Sequence, residues 1–388
     1  MTLQFQTKLC KNIIFGVDSW LKILQNINNF GEKALFLLSP SFAKSFHWQD
    51  TQTHETGIRF ALSETISGEP SPEMVDGIVA RWKDRNINVV VACGGGSVLD
   101  TGKAVAAMLC EEDSVKHFLE GIGDKIPSGK TLPFIAVPTT SGTGSEVTCN
   151  AVLSEVGEGG FKKSLRHDNY MPAVALVDPR LTLTCSRNVT INCAMDALSQ
   201  LVEGYLSKGS NNISDAMALE GIIAMASALE EVVENGKNIE ARSKIAYASM
   251  LSGMVLTNAG LGTVHGFASS IGGLFNIPHG VVCGTLMAHA NRLTLRRLRR
   301  EKSTAPNALH KYAKLGLIFG SEASTEEEQQ DFFISELIRL SSIFAIPALS
   351  DYGVNQNDID RIISLTSNKN NPVHLSYEEM AEVLSSRI

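Results

Sequence analysis

Two histidines, His265 and His279, lie in the stretch LGTVHGFASSIGGLFNIPHG, residues 261–280. Imidazoles, carboxylates and amide oxygens all bind divalent cations. A cation with an open position can hold a substrate oxygen. On one unbroken helix the fourteen-residue spacing puts the two rings on a shared face about 21 Å apart, too far for one ion. Gly272, Gly273 and Pro278 lie between them and predict a bend or stop, after which the chain returns and the rings converge. Upstream, MDALSQLVEGY (residues 195–205) places Asp196 and Gln200 four apart on one helical face. Asp196, Gln200, His265 and His279 are the candidate metal ligands, and Asp196, His265 and His279 the candidate catalytic set. Each has a plainer reading. A lone helical histidine is often structural, and a buried aspartate is often only hydrogen-bonded.

At 388 residues the chain is long enough for two cores. Hydrophobic residues make up 44% and charged residues 19%, which is ordinary for a globular protein. The net charge is −7, and the one strongly basic run is RLTLRRLRREK, residues 292–302. That run reads as a solvated helix face or an oligomer contact, and nucleic acid is not an expected partner. The seven cysteines are odd in number and include no CxxC pair, which predicts reduced thiols in a cytoplasmic protein. The N-terminus lacks the apolar core of a signal peptide. No stretch approaches the roughly 20 apolar residues of a membrane helix, so no membrane is expected.

The elements that must carry the site fall into two groups. Residues 1–16 read as an edge strand or hairpin arm, and a helix is plausible over 19–28. KALFLL (33–38), IRFAL (58–62), INVVVA (87–92), FIAV (134–137) and AVALV (173–177) read as short strands. SPEMVDGIVARWKD opens a helix, with Ser71 as cap and Pro72 in the first turn. Strand, helix, strand in that order predicts a parallel sheet with right-handed crossovers. INVVVA runs into a glycine cluster, Gly94-Gly95-Gly96-Ser97, that opens a helix. Such a loop either makes a tight turn or seats a phosphate on free N–H groups at a helix start. It is neither a Walker A loop nor GxGxxG. FIAV runs into a second loop, PTTSGTGSEVT, rich in glycine and hydroxyls. In an open α/β sheet, ligands sit beyond the carboxyl ends of the strands. From about Leu181 helical periods take over: 191–206, 214–235, 239–260, 281–300, 306–317, 325–344 and 357–367. The expected fold is an α/β domain with a parallel sheet over 1–180 and an all-α domain over 181–388.

Together GGGSVLDTGKA, PTTSGTGSEVT, VDPRLT, MDALSQLVEGY and LGTVHGFASSIGGLFNIPHG resemble the iron-containing alcohol dehydrogenases, in order and spacing along nearly the whole chain. The resemblance implies an N-terminal dinucleotide-binding domain, a helical C-terminal domain, and a cleft between them holding NAD or NADP and a metal. It implies hydride transfer between an alcohol, or its aldehyde or ketone, and the nicotinamide, in a homo-oligomer that is often a dimer. Gly95, Gly96, Ser97 and Asp100 match the phosphate-contacting loop. Thr139, Thr140, Thr143 and Ser145 match the second cofactor loop, and Lys162 a cofactor-contacting lysine. Asp196, His265 and His279 match three of the usual four metal ligands, and Gln200 stands where the fourth is usually histidine. That exchange weakens the case for iron. The similar glycerol dehydrogenases hold zinc with one Asp and two His. Ser269 stands where many relatives have a second histidine near the nicotinamide. Ser39 stands where NAD-preferring relatives have an aspartate, so NADP is allowed. Two alternatives remain: a metal-independent reductase like the maleylacetate reductases, or a non-catalytic dinucleotide-binding protein.

Overall fold

The computed structural model describes residues 4–53, 60–301 and 306–388. The strands are β1 (Ile13–Phe15), β2 (Lys33–Leu38), β3 (Phe60–Thr65), β4 (Val89–Gly94), β5 (Phe134–Pro138), β6 (Asn150–Glu155), β7 (Phe161–Arg166) and β8 (Val174–Val177). Six of them form one sheet in the order β1-β8-β5-β4-β2-β3, and every pairing in it is parallel. Ile58 and Arg59 of the expected IRFAL strand lie outside the described residues. β4 lies two residues later than expected and runs into the glycine cluster.

β4, β5 and, after Lys33, β2 are apolar because both faces of the sheet are covered. Successive side chains point to opposite faces. Leu35, Leu37, Val90 and Ala92 therefore join one core, with Val75 and Ile78 of the helix α3 (Pro72–Trp82). Ala34, Phe36, Leu38, Val89 and Val91 join the other, with Trp20, Ile27 and Trp48. Trp20 lies in a 3-10 turn ahead of α1 (Ile23–Asn28), and Trp48 lies in α2 (Phe46–Thr53). Ser71 caps α3, its hydroxyl accepting from Met74 N at 3.1 Å. The glycine loop opens α4 (Gly96–Met108). β6 and β7 form an antiparallel hairpin that the sequence pattern does not announce.

Beyond β8 the chain is helical: α5 (Arg187–Leu206), α6 (Asn212–Ala226), α7 (Leu229–Glu234), α8 (Ile239–Ala259), α9 (Thr263–Leu274), α10 (His279–Arg300), α11 (Pro306–Ile318), α12 (Glu326–Ile343), α13 (Ile359–Leu365) and α14 (Tyr377–Ser385). The single helix expected over 214–235 is two, broken at Ser227-Ala228, and α14 was not expected. α5 packs against α6, α8 and α10 and is the buried axis of this half. One core joins it to the sheet through Val147, Ala175 and Val177, which pack with Ala194 and Leu198.

The expected bend at Gly272-Gly273 does not occur. α9 runs through both glycines, and the break is at Phe275–Pro278. The glycines instead let α9 lie against β7. A Cβ on Gly273 would come within 3.0 Å of Phe161 Cα, and one on Gly272 within 3.0 Å of the Lys162 side chain.

Candidate active site and metal centre

The carboxyl ends of β4 and β5 are paired, Gly94 against Pro138, and Thr139 N donates to Gly94 O at 2.9 Å. The two loops that follow are therefore in contact. A Cβ on Gly96 would sit 2.7 Å from Thr143 Oγ1, and one on Gly95 3.2 Å from Thr140 Oγ1. Glycine is needed there for loop to meet loop. The same residues line a cleft of about 1030 Å³ between the sheet and the helical half. Gly95, Gly96, Ser97 and Asp100 enter it from the first loop, Thr140, Thr143 and Ser145 from the second, and Lys162 from β7. The start of α4 points its free N–H groups and positive dipole end toward it, as an anion site requires.

Ser39 and Thr139 do not line the cleft. Ser39 follows β2 directly, where its hydroxyl accepts from Phe42 N at 3.2 Å. Asp100 and Lys103 hold the second loop in place. Asp100 accepts from Ser145 Oγ, and from Val152 N at 2.9 Å. Lys103, fully buried, donates to Ser145 O, Thr148 Oγ1 and Asn150 O at 2.7–2.9 Å. Lys162 Nζ pairs with Glu69 at 3.1 Å, and Glu69 also accepts from Ser97 Oγ at 3.2 Å. Glu69 thus ties the glycine loop to the hairpin.

Asp196, His265 and His279 meet at the floor of this cleft. Asp196 Oδ1 lies 3.3 Å from His265 Nε2 and 3.6 Å from His279 Nε2. The ring centroids of the histidines are 5.4 Å apart, against about 21 Å on a continuous helix. Cys283 Sγ is 3.7 Å from each Nε2. One carboxylate oxygen, two imidazole nitrogens and one sulfur lie within 4.8 Å of one another. Oxygen and nitrogen ligands on a tetrahedral zinc-sized ion are about 3.4 Å apart, so the Asp–His–His set fits a divalent cation. Gln200 is buried alongside. Its Oε1 accepts from Ser252 Oγ at 2.8 Å and its Nε2 lies 3.4 Å from Asp196 Oδ1.

Glu203, one turn beyond Gln200, orients the first histidine. Its carboxylate accepts from Val264 N at 2.6 Å and from His265 Nδ1 at 2.7 Å. It therefore caps the start of α9, and it fixes the tautomer that aims Nε2 at the site. Burial favours an uncharged His265. Cys283, Asp196 and Glu203 outweigh it and hold the pKa well above the usual value. Burial and the nearby Lys162 push His279 down to about 4 despite the pull of Asp196, so its ring is neutral at pH 7. Burial would raise Asp196, but the His279 and His265 rings hold its carboxyl below the usual range. Burial pushes the Cys283 thiol up to about 11. His279 Nδ1 is buried and has no partner among the described residues.

Ser269 donates to His265 O at 2.8 Å, and Lys369, in the left-handed backbone region, reaches it at 3.4 Å. Sequence reasoning did not single out Glu69, Lys103, Glu203, Cys283 or Lys369. A signal existed for two: Glu203 is seven residues after Asp196, and Cys283 four after His279, each on the same helical face.

Residues 10–179 match the family described as iron-containing alcohol dehydrogenase, and residues 190–388 match the C-terminal part of that family. A 1,3-propanediol dehydrogenase of Klebsiella pneumoniae is 32% identical over 309 residues, 78% of this chain and 76% of that protein. Alcohol dehydrogenase 4 of Schizosaccharomyces pombe is 32% identical over 380 residues, 96% of this chain and 86% of that protein. Among solved structures, an alcohol dehydrogenase from Oenococcus oeni superposes with a TM-score of 0.85 at 27% identity, covering 99% of this chain and all of that one.

Proposed function

The chain belongs to the iron-containing alcohol dehydrogenase family, and from that premise we propose that it moves a hydride between a small primary or secondary alcohol and NAD or NADP at a metal centre built on Asp196, His265 and His279. The observation that carries the reading is the meeting of one carboxylate and two imidazoles at the floor of a cleft lined by the glycine loop. In this reading Gly95, Gly96, Ser97 and the start of α4 seat the cofactor phosphates. Thr140, Thr143 and Ser145 face the nicotinamide half, and Lys162 supplies a cation between them. Ser39 and Thr139 support this seat from the strand ends. No aspartate stands at Ser39, at the end of the strand beside the seat, so no carboxylate there would oppose a 2′-phosphate.

When bound, a divalent metal would act as a Lewis acid that lowers the pKa of the alcohol. The chain's own residues do the positioning. Glu203 keeps a proton on His265 Nδ1, so that Nε2 is the nitrogen that would give up its proton to ligate. His279 stays neutral at working pH, the form able to ligate. A bound nicotinamide would supply the hydride acceptor, with the hydroxyl proton released to solvent, so that an alcohol would give an aldehyde or ketone. In reverse, the same site reduces them. We place the protein in the cytoplasm as a homodimer, on the reduced-thiol pattern of the sequence and the habit of the family it resembles. No helix among the described residues is long and apolar enough to cross a membrane.

The test is NAD(P)-linked oxidation of small alcohols, with metal content measured in parallel, for the wild type and His279→Ala. The variant is expected to lose metal and activity together. Full activity in metal-free His279→Ala would remove the metal from the reaction.

A further inference from the structure

We propose that Cys283 is a fourth protein ligand of the metal centre, so that the ion is held by one oxygen, two nitrogens and one sulfur. The proposal rests on the reading of Asp196, His265 and His279 as ligands. Cys283 lies one turn after His279 on α10, so both side chains leave the helix on the same face. Its sulfur is 3.7 Å from His265 Nε2 and 3.7 Å from His279 Nε2. Around a tetrahedral ion with sulfur at about 2.3 Å and nitrogen at about 2.05 Å, a sulfur–nitrogen edge is about 3.6 Å. The corresponding nitrogen–oxygen edge is about 3.4 Å, against 3.3 and 3.6 Å here. All four of these separations thus have the size of one small coordination sphere.

A buried cysteine also serves as a small apolar packing residue, and Cys283 does pack in a core with Val282 and Leu286. Packing alone does not require equal separation from two imidazole nitrogens. Gln200 is less well placed for the role. Its oxygen is taken by Ser252, and its amide nitrogen is the atom turned toward Asp196.

Direction matters as well as distance. Asp196, His265 and His279 line the cleft, whereas Cys283 is fully buried and does not. Sulfur therefore approaches from the core side. The cleft side of the ion is then where a substrate oxygen would join as a fifth ligand, the expansion catalytic zinc centres undergo. Binding converts the thiol to a thiolate: the S–H bond breaks, a sulfur–metal bond forms, and one proton goes to solvent. A thiolate softens the donor set and favours zinc over iron at this centre.

The test uses cobalt(II) as the probe. Metal-free full-length protein is loaded with one equivalent of cobalt, and its near-ultraviolet and visible spectrum is recorded. A thiolate-to-cobalt charge-transfer band is expected, which oxygen and nitrogen ligands do not give. Cys283→Ser should abolish the band and weaken cobalt binding about 10- to 100-fold, the range seen when support for a metal site is lost. Gln200→Ala should keep the band. Cobalt bound by the wild type without the band overturns the proposal, and so does a band that survives in Cys283→Ser. If the folded wild type binds no cobalt, the metal reading beneath the proposal falls with it. The wild-type spectrum needs no variant, so a misfolded substitution leaves the decision intact.

Discussion

Replacing Glu203 by glutamine probes how the proposed metal centre is built without touching a proposed ligand. The change is nearly isosteric, and it removes the charge that three donors share. Val264 N donates to Oε1 at 2.6 Å, His265 Nδ1 meets Oε2 at 2.7 Å, and His265 N is near Oε2 at 3.4 Å. A glutamine keeps one acceptor oxygen. If that oxygen stays with Val264 N, the amide NH₂ faces His265 Nδ1 as a second donor, and the ring is driven to the wrong tautomer. If it turns to His265, the start of α9 loses its cap. Either way one hydrogen bond to a charged group is lost inside a buried site, worth roughly 1.5–3 kcal/mol. At 1.4 kcal/mol per tenfold, that weakens metal binding about 10- to 100-fold. The assay is competition for zinc or cobalt between the protein and a chromophoric chelator, with thermal unfolding of the metal-free protein as control. If Glu203→Gln binds metal as tightly as the wild type, Glu203 is not what orients His265, and the chain of support drawn here is wrong.

Gly96→Ala places a Cβ 2.6 Å from Thr143 Cγ2, an overpacking of about 1–3 kcal/mol. It should weaken NAD(P) binding at least tenfold by cofactor fluorescence titration, and unchanged binding would move the phosphate seat elsewhere. Lys103→Met removes the cation that faces Asp100 Oδ1 at 3.7 Å and leaves that half-buried carboxylate with only Ser145 Oγ and Val152 N as partners. Denaturant unfolding should show a loss of roughly 3–5 kcal/mol; a loss under 1 kcal/mol would mean the second loop is held by other contacts. Glu146 is buried, and burial raises its pKa from 4.5 to about 7. The folded state therefore keeps a proton that the unfolded state gives up, so stability falls as pH rises from about 4.5 to 7. Glu146→Gln should equal the wild type near pH 4.5 and exceed it by roughly 3 kcal/mol at pH 8; the same offset at both pH values would rule out this titration.

β2, β4 and β5 are readable from composition because both faces of each are covered. Ala34, Phe36 and Leu38 serve one core while Leu35 and Leu37 serve the other, so no position is left for a polar residue. β7 is the opposite case. FKKSLR buries only Leu165, and its lysines and arginine face the cleft or solvent. A strand covered at one position gives neither an apolar run nor a clear alternation, so the hairpin was missed and Lys162 was known only by resemblance. The start of α12 was legible at Thr325, which caps it, whereas α5, capped by Ser186, begins four residues earlier than its apolar period showed.

The convergence of the two histidines was legible, and so was one half of the device that produces it: Pro278 does interrupt the helix, whereas Gly272 and Gly273 do not. A glycine pair inside a helix has two uses: it can weaken the helix, or it can let another backbone come close. Which one applies depends on what lies opposite. Opposite Gly272 and Gly273 lies β7, so close that a Cβ on either would crowd Phe161 Cα or the Lys162 side chain at 3.0 Å. The missed hairpin and the misread glycine pair are therefore one error. The turn belongs to Phe275–Pro278. Phe275 goes extended, and Pro278, with φ −56° and ψ 131°, steps out of the helical region immediately before His279. Proline has no N–H to continue the α9 ladder, and it disfavours a helical residue before it. His279 is consequently the first residue of a new helix, and the separation expected of a continuous rod shrinks to rings 5.4 Å apart. The same restart fixes Cys283 one turn further along, so a single interruption of the backbone places three of the four metal-competent side chains relative to one another.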